Sequence, residues 1–392
     1  MQWELEPSVC DLCGSDKYTV LLNLSTGRAM RSDQNLVASN LVKLKCSRCG
    51  LVRGGSRYDA GILQDFYAHE YANELHPSDY YFYTRRGPVA RSVMFADWMI
   101  SLLEEHRWQK SARCLEIGTS SGALLQELTR RFQNTSFEGL ELNQSSSELA
   151  RKRGLSVRSI ALESMDSTAF DLVYSIAVLE HVISPTQFLN EICKRLRPGG
   201  CLLLCQPTQD VSSYDLFFYD HVHHFGSEHL RQYARKCGFR EQGFIVGHEW
   251  MPNFSLHFWQ KADTGDIFEW AGPPGFTTCV ETSLRVIADM AALNELLARL
   301  QAEQRRVAVF GLNEVYWLAC AYSALGDYPL VCGLVDQPEN PRFAQLGFPV
   351  VTPEQCLALG VQDVILTMNK VYYPQASERL ESLRLRTHRV LS

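Results

Sequence analysis

The apolar positions along the chain change period several times, and each change marks an element. From about 88 to 106, Val89, Val93, Phe95, Trp98, Met99, Leu102 and Leu103 recur at a spacing that predicts an amphipathic helix. Strand-like and helix-like stretches then alternate. Arg113–Ile117, Ser136–Leu142, Phe170–Ile176 and Gly200–Cys205 carry strand patterns, and Gly122–Phe132, Ser145–Arg153 and Pro185–Arg195 carry helical ones. This alternation predicts a parallel α/β sheet. A looser stretch from 264 to 278 holds Gly272-Pro-Pro-Gly275 and predicts a linker. Val280–Gln304 is one long helical pattern with Val286, Met290, Leu293, Leu297 and Leu300 on one face. A second alternation starts at Arg306, with strands at Val307–Phe310, Leu330–Val335 and Asp363–Thr367 and a helix running to Ala324.

Three regions follow from this pattern: 1–58, poor in helical periodicity; 59–262, opening with a tyrosine-rich and helical lead-in to 110; and 280–392, a smaller α/β unit with a leading long helix. At about 150 residues per domain, 392 residues suit two or three domains. Apolar residues at 46% and charged residues at 21% exclude a disordered chain. A net charge of -6 argues against a nucleic-acid backbone as the main partner. No apolar run approaches the ~20 residues that span a bilayer. Met1 to Glu6 lacks the basic start of a secretory signal, so the expected compartment is the cytosol.

The 13 cysteines are too sparse in so long a chain for a disulfide scaffold. Four of them form two knuckles, Cys10-Asp-Leu-Cys13-Gly14 and Cys46-Ser-Arg-Cys49-Gly50. Each knuckle turns two sulfurs toward one point, and two knuckles supply the four thiolates that tetrahedral Zn²⁺ takes. A redox pair would be a single C-x-x-C in a βαβ context. With four protein ligands the metal has no open position, so the expected role is structural: zinc would let a small module fold without a large core.

The first strand of the alternation runs into Glu116-Ile-Gly118-Thr119-Ser-Ser-Gly122. The middle glycine of a dinucleotide fingerprint is missing. An acid two residues before the first glycine suits an amine-bearing ligand. Glu141 ends the second strand, where a carboxylate can accept both hydroxyls of a ribose. Together these favour S-adenosyl-L-methionine (SAM) over NAD, against the alternative of an ordinary βα turn.

Leu115-Glu-Ile-Gly118…Gly122, Gly139-Leu-Glu141, Phe170-Asp-Leu-Val-Tyr-Ser-Ile-Ala177-Val-Leu-Glu-His181-Val and Leu196-Arg-Pro-Gly-Gly200 resemble a class I SAM-dependent methyltransferase. The resemblance implies that the Glu116, Gly118, Thr119 and Gly122 loop holds the methionine part, that Glu141 holds the ribose, and that Leu162 and Ala177 line the cofactor. The order of parts is similar to a narrower group, the sugar C-methyltransferases of deoxysugar biosynthesis: a four-Cys zinc module, a Rossmann-like SAM domain and a C-terminal Rossmann-like α/β domain. Matching that group's motifs implies catalytic roles for His181, for the pair Asp220-His221 and for Tyr71, and a nucleotide-linked keto-sugar as the small-molecule substrate.

The residues themselves point the same way. Phe218-Tyr-Asp-His-Val-His-His-Phe225 packs three His, one Asp and one Tyr behind a strand end, the side where α/β sheets bind ligands. Carbon methylation needs a base to remove a proton α to a carbonyl. His221 is the expected base and His224 the reserve, because imidazole titrates near working pH. The alternatives are a polar cap on the helix that begins near Gly226, or a metal site. The spacing of His221, His223 and His224 is not i, i+4, and no carboxylate motif accompanies it. In the C-terminal unit, Phe310-Gly-Leu-Asn-Glu314 places an acid where a phosphate-binding loop would be. Other functions compatible with the residues are O- or N-methylation of another small molecule and a non-catalytic SAM-binding scaffold. An NAD-dependent oxidoreductase fits the glycine spacing poorly.

Overall fold

The computed structural model describes residues 9–55, 63, 65–71, 81–84, 87–108, 112–166, 169–249, 251–262, 278–339, 343–344 and 346–391. The expected linker lies almost wholly outside these residues, as do Asp79 and Tyr80 of the tyrosine-rich segment.

Near the N-terminus, strands β1 (Tyr18–Leu24), β2 (Ala29–Met30), β3 (Leu36–Val37), β4 (Leu41–Cys46) and β5 (Val52–Gly54) form two small antiparallel sheets. Strands β6 (Tyr81–Thr84) and β7 (Gly87–Ala90) form a hairpin ahead of helix α1 (Arg91–Glu105), which buries Met94, Phe95, Trp98, Met99, Leu102 and Leu103 as its period predicts.

The central sheet follows: β8 (Arg113–Ile117), α2 (Ala123–Arg131), β9 (Ser136–Leu140), α3 (Gln144–Lys152), β10 (Val157–Arg158), β11 (Phe170–Ile176), α4 (Pro185–Arg195) and β12 (Leu196–Pro207). A two-residue strand, β13 (His223–His224), and α5 (Ser227–Lys236) precede β14 (Phe239–Val246) and β15 (Phe254–Lys261). The strand order is β10-β9-β8-β11-β12-β15-β14, parallel except where β15 runs against β12 and β14. This is a Rossmann-like α/β fold with a mixed sheet. The sequence pattern predicted the parallel part. It missed β14 and β15 because their apolar faces lie among polar residues such as Arg240-Glu-Gln and Gln260-Lys.

Helix α6 (Thr278–Ala302) leads into β16 (Val307–Phe310), α7 (Glu314–Tyr322), β17 (Cys332–Leu334), β18 (Val350–Val351), β19 (Asp363–Leu366), α8 (Tyr373–Ser382) and β20 (Arg386–Arg389). Their order is β18-β17-β16-β19-β20, all parallel.

The three sheets are joined by side chains that cross between them. Asp11, inside the first cysteine knuckle, accepts from Ser184 Oγ (2.7 Å) and the Thr186 amide (2.9 Å) and so caps α4. The Tyr322 hydroxyl donates to the Phe217 carbonyl (2.5 Å) and accepts from the Met30 amide (3.2 Å), so one buried group of α7 satisfies both other regions. Tyr322→Phe leaves these two backbone groups without their partner. It is expected to lower stability by about 1–3 kcal/mol in urea-induced unfolding; a variant as stable as the parent would remove this tie from the account.

Candidate functional site

The four cysteine sulfurs lie within 4.8 Å of one another. Cys10 Sγ and Cys49 Sγ are 3.4 Å apart, Cys13 Sγ and Cys46 Sγ 3.6 Å. Four ligands at about 2.3 Å in a tetrahedron would stand roughly 3.8 Å apart, so the cluster needs only a slight expansion to take a Zn²⁺ ion. Among the described residues nothing closes a disulfide.

At the carboxyl end of β8 the chain turns through Gly118 (φ 79°), Ser120 (φ 50°) and Gly122 (φ 82°). A side chain at Gly118 would collide with Val178, and one at Gly122 with Leu155 and Ala150. Glu141, ending β9, faces this loop, and its carboxylate accepts from the Ser120 amide (2.6 Å) and the Asn143 amide (2.8 Å). Glu116 is buried on β8, with the Tyr174 hydroxyl at 3.4 Å, and burial raises its carboxyl well above the usual range. Ala177, just past β11, holds φ 54° and keeps part of its surface open. Besides Glu116, two of the expected cofactor contacts turn inward. Thr119 is buried beside Gly139, and Leu162 is a core residue; such positions can offer a ligand only their backbone.

The expected catalytic residues, which lie in three separate stretches of sequence, meet beyond the same end of the sheet. His181 stacks edge-on against His221 with ring centroids 4.7 Å apart, and Tyr71 lies 6.3 Å from His181. His181 Nδ1 is 3.1 Å from the Asp220 carbonyl. The Asp220 carboxylate accepts from Ser32 Oγ (2.6 Å) and the Ser32 amide (2.8 Å), and Ser32 Oγ lies 3.2 Å from the Tyr71 hydroxyl.

The acid on His221 is not its sequence neighbour Asp220 but Asp215. Asp215 Oδ1 is 2.5 Å from His221 Nδ1, and Oδ2 is 2.6 Å from His224 Nδ1 and 2.5 Å from Gln209 Nε2. The expected pairing of His221 with Asp220 is therefore corrected to Asp215. One buried carboxylate fixes both rings with Nδ1 inward, which leaves both Nε2 atoms for other partners. His224 Nε2 has none among the described residues. Burial works against charge throughout this cluster. It pushes His224 down to about 3 and His181 to about 4. His221 moves the other way: burial opposes its charge, but the charge and hydrogen bond of Asp215 outweigh it and raise the imidazole. Asp215 is correspondingly held well below the carboxylate range by His224 and His221 despite its burial.

Glu180, Lys43 and Glu314, of which the sequence patterns singled out only Glu314 and for another reason, complete the site. Glu180 is buried with Oε2 unpartnered, and burial raises it to about 7. Ligand atoms of Glu180, His181 and His221 lie within 4.8 Å, although the Nδ1 atoms of both histidines already have protein partners. Glu314, in the first turn of α7, is half-buried and raised to about 7 by burial, with His221 and Asp215 as its charged neighbours. Lys43 of β4 is fully buried, and its Nζ donates to the carbonyls of Phe218 (2.7 Å) and His221 (3.0 Å).

The loop bearing these histidines is sewn to the cysteine-rich region by its backbone. β13 pairs antiparallel with β5, His223 opposite Arg53 and His224 opposite Val52, so the order in that sheet is β1-β4-β5-β13. The Tyr219 amide donates to Met30 (2.7 Å) and the Gly54 amide to Val222 (2.9 Å). Alternation along β13 sends His224 to Asp215 and His223 to the Val182 carbonyl (3.1 Å).

A family model described as a methyltransferase domain matches residues 91–241. That span is a SAM-dependent methyltransferase domain. The mitochondrial ubiquinone biosynthesis O-methyltransferase of Candida albicans is 26% identical over 186 residues, which cover 40% of this chain and 57% of the relative. The ubiquinone biosynthesis O-methyltransferase of Alkalilimnicola ehrlichii is 27% identical over 142 residues, 34% of this chain and 54% of the relative. The chain thus spans little more than half the length of these curated relatives. Among solved structures, the CurJ carbon methyltransferase overlays on 44% of this chain and 54% of its own, with TM-score 0.37 and 17% identity. A SAM-dependent methyltransferase from Mesorhizobium loti overlays on 42% of this chain and 97% of its own, with TM-score 0.36 and 14% identity.

The Asp215–His221 pair has a pH signature. His221 is raised, so its contribution to stability is present at low pH and lost as pH rises through the folded value. Asp215 is depressed, so its contribution is present above the unfolded value of 3.8 and lost as pH falls toward the folded one. The pair stabilises the fold in the mildly acidic window between. Asp215→Asn is expected to cost about 3–5 kcal/mol there and to move the His221 titration down in ¹⁵N-histidine NMR. An unmoved titration would show that Asp215 does not set the basicity of His221.

Proposed function

We propose that the protein is a SAM-dependent C-methyltransferase acting on a keto substrate of biosynthetic origin. The observation that carries this reading is the Asp215-backed His221 beside Tyr71 and His181, at the end of the sheet where the SAM loop opens. Gly118, Gly122, Glu141 and Ala177 would frame the cofactor, whose bound form supplies an electrophilic methyl group. Glu141 is already aimed by two backbone amides, so its ribose-binding geometry needs no rearrangement of the loop.

His221, fixed through Nδ1, presents Nε2 to take the proton α to the substrate carbonyl; the C–H electron pair then passes to the carbonyl oxygen. The Tyr71 hydroxyl, 3.2 Å from Ser32 Oγ, would turn its proton to that developing oxyanion, while His181, neutral with its Nδ1–H on the Asp220 carbonyl, packs edge-on against the base. Low His181 and His224 values keep those rings neutral at neutral pH, so they add no like charge beside a protonated His221. The four cysteines would hold a structural Zn²⁺ whose role is to shape the strands that carry Lys43 and pair with β13.

A nucleotide-linked keto-sugar fits the order of parts but meets an obstacle in the C-terminal unit. The Asn313 side chain caps α7 through the Val315 amide (3.0 Å), and Glu314 occupies the next position. That helix start offers an acid instead of a phosphate cradle. The acceptor is therefore a keto compound not anchored there by a diphosphate. The relatives' names favour a second reading, oxygen methylation, which the same base would serve by deprotonating a hydroxyl.

Calorimetry with S-adenosylhomocysteine is expected to give binding that Glu141→Ala weakens at least tenfold; no binding by the parent would end the methyltransferase reading. Keto-sugars incubated with protein and S-adenosylhomocysteine in D₂O should gain deuterium α to the carbonyl. Methylation of an acceptor without any such wash-in would transfer the assignment to oxygen.

A further inference from the structure

We propose that Lys43 is a positioning residue for the base: its ammonium clamps the Phe218–His221 turn and keeps His221 seated on Asp215. The inference rests on the reading of His221 as the base. Lys43 enters from the cysteine-rich region on β4, three residues before the cysteine Cys46, yet its Nζ reaches the catalytic loop of the central domain. Its side chain is fully buried, and an ammonium in that position is costly unless its donors are satisfied. Two of its three N–H bonds go to the carbonyls of Phe218 and His221, residues i and i+3 of the turn. Those carbonyls bracket Asp220, whose carboxylate holds Ser32, and the second belongs to the base itself.

The clamp works along a defined chain of contacts. Holding the His221 carbonyl fixes the Cα position from which the imidazole reaches Asp215. Burial lowers the ammonium to about 7, and the charges of Asp215 and Asp220 work against that and favour it. Lys43 is also a like charge to His224 and helps keep that ring neutral. An apolar side chain could fill the same volume in the core. It would leave two buried carbonyls unpaired and the turn free to move relative to Asp215. A structural staple alone would act on stability; a positioning residue must act on the His221–Asp215 hydrogen bond.

That bond has a spectroscopic readout independent of any acceptor. The probe is the zinc-loaded full chain with ¹⁵N-labelled histidine and S-adenosylhomocysteine bound. The His221 Nδ1 proton, shared with a carboxylate at 2.5 Å, is expected far downfield and is assigned by its loss in His221→Gln and its persistence in His224→Gln. In Lys43→Met the signal should disappear or move upfield, with zinc content and S-adenosylhomocysteine affinity unchanged. A signal of unchanged position in folded Lys43→Met would overturn the proposal. Should that variant not fold, Lys43→Gln, neutral and shorter, decides by the same signal. Loss of S-adenosylhomocysteine binding by the parent would instead count against the methyltransferase reading, so the two failures are distinguishable.

Discussion

The backbone pairing of His223–His224 with Val52–Arg53 is the contact on which the rest of the site depends. It makes the histidine loop the fourth strand of a sheet whose other strands belong to the cysteine-rich region. Through it, the proposed base, its carboxylate and the proposed oxyanion donor come from different parts of the chain yet share one frame. The pairing also explains the alternation of roles along the loop, since a strand must send consecutive side chains to opposite faces. His224 shares Asp215 with the base, whereas His223 is spent on packing against the Val182 carbonyl.

Seen this way, the cysteine cluster and the catalytic cluster belong to one mechanical unit. A metal-bound module that folded alone would leave the loop free. Here Lys43, the Met30 carbonyl and the edge of β5 all end on residues 218–224. The central domain returns the contact through Asp11, which sits between Cys10 and Cys13 and caps α4. Zinc, where bound, would therefore act on chemistry at a distance by fixing β4 and β5. The C-terminal unit adds a third wall through Tyr322 and Glu314, and its acid sets the electrostatic character of the acceptor side.

Much of this was legible in the residues. Period changes placed α1, β8, β11 and α4 almost to the residue, and the C-x-x-C-G spacing identified four thiols that do converge. Tyr71, His181, Asp220, His221 and His224 were picked from separate motifs and lie together. Partnership within the cluster was not legible. Adjacency suggested Asp220 for His221, but the turn at 218–221 sends the Asp220 carboxylate to Ser32, and Asp215 reaches the ring from six residues earlier. Lys43 gave only one signal, a lysine in register with Leu41 on the buried face of a strand. Glu180 and Glu314 sat inside motifs chosen for other reasons, and only tertiary packing shows that they face the base.

The most direct test of this shared frame is hydrogen exchange on the S-adenosylhomocysteine complex, before and after zinc is removed by a chelator. Amides of residues 218–225 and 52–54 should lose protection together on metal removal, while β8 and β11 of the central sheet keep theirs. Loss confined to residues around the cysteines, with 218–225 still protected, would contradict the claim that the metal-binding module holds the catalytic loop in place.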